Sequence, residues 1–174
     1  MKKAFSLIEL MIVIVIIGVV YTLAVSKLQN VGESKVAPSL ANLKEYLLGF
    51  MEEDVREVRL LCLDSCESCS VYSDGVKQKG EVKAFFDESI EVYRYDFNQG
   101  PVRQNEGVFF DEEGREENVC FSFTMHKNLI SDQIIVVYKE KTYDYTSYFE
   151  PTKVYAHLEE LVDFKERLVQ EVAR

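Results

Sequence analysis

Two sets of side chains carry the chemistry of this 174-residue chain. The first is a single carboxylate, Glu9, inside an apolar run that starts at Phe5 and reaches Val20. From Phe5 to Val25 there are 21 residues, which as a helix cover about 31 Å at about 1.5 Å each. That matches a hydrocarbon core of about 30 Å. A carboxylate there must protonate, reach the interface or find a cation, so Glu9 is a functional-site candidate with a partner to be named. The second set is four cysteines, of which Cys62, Cys66 and Cys69 fall in a CxxxCxxC pattern and Cys120 lies some fifty residues on. This spacing also serves iron–sulfur clusters, but in enzymes built on a large barrel for which this chain has no room. Four thiolates are also a zinc-ligand set.

Lys2 and Lys3 precede the apolar run. Positive residues favour the cytoplasmic side, which sends the rest of the chain to the periplasm or an equivalent space. An even number of cysteines in an oxidising compartment reads as disulfides. Three connectivities exist, and each joins Cys120 to one of the clustered three.

The N-terminus resembles that of type IV pilins and pseudopilins. The resemblance rests on the short basic leader, Ala4, Phe5, the Ser6-Leu7-Ile8-Glu9 run and Gly18. It is specific over residues 2 to 25, and it implies a leader of residues 1–4, cleavage by prepilin peptidase between Ala4 and Phe5, and methylation of the new amino group. It further implies that Glu9 takes part in assembly with other pilin or pseudopilin subunits on an inner-membrane platform. Ala4 departs from the Gly usual before the cut. The family's bend at a Pro soon after the span is displaced, since the nearest Pro is Pro38. A secretory signal peptide has a shorter apolar stretch, and neither it nor a plain anchor gives Glu9 a role.

The chemistry of Glu9 follows from that cut. A Phe5 ammonium lies four residues from Glu9, about one helical turn. Between staggered subunits the carboxylate of one meets the ammonium of another inside a helix bundle. Such a pair sets register more than it adds stability.

Thirty acidic against twenty basic side chains give a net charge of −10, and loss of Lys2 and Lys3 takes it to −12. No run of basic residues offers a phosphate-binding surface, so direct nucleic-acid binding is not expected. His126 and His157 sit in ordinary contexts, and no nucleophile–base spacing or phosphate-binding glycine loop appears. No catalysis and no cofactor are expected. Asp111-Glu112-Glu113-Gly114 with Glu116-Glu117 lacks the alternating ligand spacing of a calcium loop and reads as a solvated turn.

The elements follow from periodicity. Residues 5–25 read as a membrane-spanning and assembly helix. Leu40, Leu43, Leu47, Phe50, Met51, Val55 and Val58 continue it at helical spacing, as an amphipathic part over 26–61 with a soft point at 30–38. Residues 62–174 form the head. Period-two runs at Glu81–Phe86, Ile90–Asp96, Val119–Met125, Ile134–Lys139 and Thr142–Phe149 predict an antiparallel sheet laid on the amphipathic helix. Lys139-Glu140-Lys141 reads as a tight connection. Leu158, Leu161, Val162, Leu168, Val169 and Val172 share one face of a closing helix. The whole is α+β. The expected function is a minor pilin or pseudopilin of a pilus, a type II secretion system or a DNA-uptake system. The alternative is a monomeric anchored periplasmic binding protein that never polymerises.

Overall fold

The computed structural model describes residues 11–17, 38–83, 86–105, 107–111 and 113–172. The chain divides into two units, Met1–Val36 and Ala37–Arg174. In the first, residues 11–17 are α-helical (α1) and every one of them is exposed, including Met11, Ile14 and Ile17. The rest of the span expected over 5–25 lies outside the described residues. Among the described residues no helix is long and apolar enough to cross a membrane.

The head, in the second unit, opens with a 3-10 turn, Leu40–Asn42, that leads into helix α2, Leu43–Leu48. The helical stripe expected to run to residue 61 stops here. Gly49, Phe50 and Met51 donate to carbonyls three residues back, Tyr46, Leu47 and Leu48, which tightens the last turn and ends the helix. Glu57–Leu63 is strand β1 instead. Val58, Leu60 and Cys62 alternate into the core at 0% exposure. Val55 and Val58 fit a helical spacing from Met51, but the chain from Glu57 is paired on both sides, to β2 and β7, and Leu61 is buried as well as Leu60 and Cys62. This corrects the helical reading of residues 49–61.

The strands form two antiparallel sheets rather than the single one expected. One has the order β3-β2-β1-β7-β6, with β2 Ser68–Ser73, β3 Val76–Lys83, β6 Val108–Phe110 and β7 Glu116–His126. The other has the order β10-β9-β8-β4-β5, with β4 Glu91–Asp96, β5 Gly100–Arg103, β8 Ile135–Tyr138, β9 Lys141–Asp144 and β10 Lys153–Tyr155. The tight connection expected at Lys139-Glu140-Lys141 is the two-residue turn Lys139-Glu140, with φ of 48° and 60°, and Lys141 already belongs to β9. Two consecutive positive φ values match the twist of the flanking strands.

The sheets share one core. Phe86 stacks edge-on against Phe121 of β7 at 4.9 Å and against Tyr138 of β8 at 5.6 Å. Phe123 meets Tyr145 at 4.7 Å, and Leu43 and Leu47 of α2 are fully buried in the same cluster. The closing helix, α3, runs Leu158–Val172. Its first half is seated, with Leu161 at 0% exposure, whereas Leu168, Val169 and Val172 of the second half are exposed.

Candidate functional site

The residues expected to act in processing and assembly, Ala4, Phe5 and Glu9, lie outside the described residues. The four cysteines do not. Cys62 and Cys69 are directly opposed across β1 and β2 and form one disulfide, with Cα atoms 4.1 Å apart. Cys66, in the turn between those strands, is bonded to Cys120 of β7, a separation of 54 residues. Of the three open connectivities this is the one found, and no cysteine is free. All four sulfurs are therefore in S–S bonds rather than available as thiolates. Cys62 lies in a strand, not near a helix end.

Local geometry explains the pairing. Asp64 and Cys66 adopt φ of 49° and 63°, so the β1–β2 turn is left-handed twice. The Asp64 amide donates to the Asn118 carbonyl at 2.8 Å, which holds the turn against β7 next to Cys120. Cys62, Cys66 and Cys69 are fully buried.

Two cations, Lys44 buried and Lys165 half-buried, fasten the head further, and periodicity alone did not reveal either. Lys44 of α2 donates to the Ser147 and Glu150 carbonyls at 2.7 and 3.3 Å. Burial pulls its ammonium below the usual lysine range, and the Asp144, Glu45 and Glu150 carboxylates partly oppose this. Lys165 of α3 meets Asp144 of β9 at 3.0 Å, with side chains 13% and 2% exposed. Asp144 also accepts from the Thr146 amide and hydroxyl at 2.9 and 2.6 Å. Tyr145 donates its hydroxyl to the Leu40 carbonyl, and burial pushes this phenol well above its usual value. A charge inside an apolar pattern (Lys44 beside Leu43, Leu47 and Leu48) was the one signal the sequence held.

The remaining candidates occupy ordinary positions. His126 ends β7 with Nδ1 3.8 Å from Glu57, and His157 immediately precedes α3. In the acidic stretch, Asp111 closes a turn by accepting from the Glu113 and Arg115 amides and from Arg115 Nε at 2.7 Å. The Arg115 amide and guanidinium hold its carboxyl below the usual range. Among the described residues no group of three or more His, Cys, Asp or Glu side chains is placed to hold a metal.

Residues 1–25 match the prokaryotic N-terminal methylation motif. This is the prepilin-type signal of type IV pilins and pseudopilins. The matched stretch contains Ala4, Phe5 and Glu9 and, at its centre, the exposed apolar helix of residues 11–17. The signal supports a pilin-like, prepilin-processed protein that is anchored in a membrane and then assembled, a structural subunit rather than an enzyme. No curated protein and no solved structure matches the chain.

Proposed function

We propose that this chain is a minor pilin or pseudopilin, inserted in the inner membrane with its N-terminus cytoplasmic and its head periplasmic. In this reading prepilin peptidase cuts between Ala4 and Phe5, the Phe5 amine is methylated, and the chain joins other subunits through its N-terminal helix on an assembly platform. The observation that carries it is the methylation motif over residues 1–25. Both disulfides accord with an oxidising periplasm. A small head with a net acidic chain suits a decorated or minor position, where like charge keeps neighbouring heads soluble and apart.

In assembly, Glu9 of one subunit pairs with the Phe5 ammonium of the next, so that desolvation of each charge is offset only in the correct register. The pilus, the type II secretion system and the DNA-uptake system are the three settings in which such a subunit works. The deciding measurement is intact mass and N-terminal sequence of the membrane-extracted chain. A start at Phe5 carrying one methyl group is expected. A start at Met1, or after Ser26, would overturn the reading.

A further inference from the structure

The exposed second half of α3 does not end in solvent alone. Together with strand β4 and the segment after β9 it encloses a groove of about 880 Å³, within the range of about 300–1,000 Å³ found for small-molecule sites. One wall is Leu168, Val169 and Val172 of α3, and the facing wall holds Tyr95, Phe97 and Tyr148. Phe97 is 80% exposed and Val172 88%. An apolar, aromatic-lined concavity left open at the surface of a head is a recognised mark of a binding site.

The charge of the lining is opposite to that of the chain. Acidic side chains outnumber basic ones thirty to twenty in the sequence, yet among the described residues no Asp or Glu lines the groove and two cations do, Arg94 and Lys165. Lys165 is neutralised by Asp144 at 3.0 Å. Arg94, exposed on β4, has no ion pair among the described residues. Gln133, Thr146 and Ser147 add polar atoms to the same lining. The groove thus offers apolar walls and one guanidinium without an ion pair among the described residues. Two carboxylates lie outside the lining, Asp144, held by Lys165, and Glu166, on α3 near Tyr95.

We propose that this groove binds a free long-chain carboxylic acid, its hydrocarbon chain between α3 and the aromatic wall and its carboxylate on Arg94. A guanidinium takes a carboxylate in a planar, two-point pair. Apolar walls supply most of the affinity, and the single cation selects an anionic amphiphile over a neutral one. Every lining residue belongs to the head and none to residues 5–25, so failure of this site and failure of the filament reading are distinguishable.

Membranes holding the full chain would be irradiated with diazirine-bearing hexadecanoic acid, and the adducts mapped by mass spectrometry of peptides. Adducts are expected on the peptides carrying Arg94–Phe97 and Lys165–Val172. Diazirine-bearing hexadecanol should label those peptides about tenfold less, as expected for loss of a charge-assisted pair. Arg94→Glu should reduce acid labelling by a similar factor, whereas Arg94→Lys should retain most of it. An unchanged melting temperature in both variants separates loss of the site from loss of the fold. Labelling confined to residues 5–25, equal labelling by acid and alcohol, or labelling indifferent to Arg94→Glu would each overturn the proposal. Stronger labelling of the same peptides by a diazirine-bearing phosphatidylglycerol would overturn the assignment to a free acid.

Discussion

In the proposed reading, residues 1–25 act through the identity of side chains at fixed places: a small residue, Ala4, then Phe5, then a carboxylate four positions on. In the head they matter by what they touch. Val58 and Leu60 are interchangeable with other apolar residues as far as pattern goes, and only burial against β7 and α2 gives them a role. A segment of the first kind is matched by a family description, while the head finds no curated protein or solved structure like it. Recognition chemistry constrains residues one by one, whereas a core constrains volume and periodicity and accepts many sequences. Substitution should therefore act in opposite ways in the two regions.

The largest effect is expected in the first. Glu9→Ala should leave insertion and cleavage intact, because removing a charge from an apolar span cannot impair its partition. Incorporation into sheared filaments should fall to background. The head should melt as in the parent, since its core lies wholly within the second unit. Unchanged incorporation would break the contrast, because Glu9 would then be tolerated like any core position.

In the head, the next effect comes from the disulfides, and their unlike loops sharpen the comparison. Cys66–Cys120 closes a separation of 54 residues and Cys62–Cys69 one of 7. In the chain-entropy model these stabilise by about 4 and about 2.5 kcal/mol, respectively. Cys120→Ser paired with Cys66→Ser should lower the melting temperature by roughly 10 °C or more, and the Cys62→Ser, Cys69→Ser pair by less. Neither should prevent cleavage at Phe5. Equal losses would show that the bonds act through native contacts rather than through the unfolded chain.

Much of this was legible in the sequence, and the failures have physical causes. The strands Glu91–Asp96 and Lys141–Asp144 were readable because buried and more exposed side chains alternate along them, and Ile135–Tyr138 because it is a short β-branched and aromatic run with three of its four residues buried. Strand β2, Ser-Cys-Ser-Val-Tyr-Ser, reads as a loop by composition; it is a strand because Cys69 and Val71 are drawn into the core beside β1. Strands β5, β6 and β10 are 4, 3 and 3 residues long, too short to show a period. The α3 stripe was visible, but not that it divides into a seated half and an open one. Leu161 is seated while Leu168, Val169 and Val172 are exposed, and contacts with other elements, such as Lys165 to Asp144, are encoded by no local pattern.

That ion pair gives a smaller prediction. Lys165→Met keeps the side-chain stem but leaves Asp144, 2% exposed, with only the Thr146 amide and hydroxyl as donors. An unpaired buried carboxylate should cost about 2 kcal/mol. Adding Asp144→Asn should return most of the loss, because a neutral amide needs no counter-charge. Thermal melts of the parent, the single and the double variants test this, and equal melting of single and double would count against a buried charge as the cause.

The smallest effect concerns the turn Lys139-Glu140, where the backbone rather than a contact sets the cost. Both residues hold positive φ, 48° and 60°, a region where a Cβ crowds the following carbonyl by roughly 1–2 kcal/mol. Their side chains are exposed, and Lys139 lies 4.9 Å from the Tyr138 ring centroid. Glycine enters this conformation without the steric penalty but loses more backbone entropy on folding. The two terms oppose, and with φ already left-handed the steric one is the larger. Glu140→Gly should therefore stabilise the head by about 0.5–1 kcal/mol, while Lys139→Gly should gain less because it forfeits the contact over Tyr138. Denaturant melts of the two variants check the order. If Glu140→Gly destabilises instead, the turn is held by its side chains, and this corner of the head would depend on residue identity in the way the N-terminal segment does.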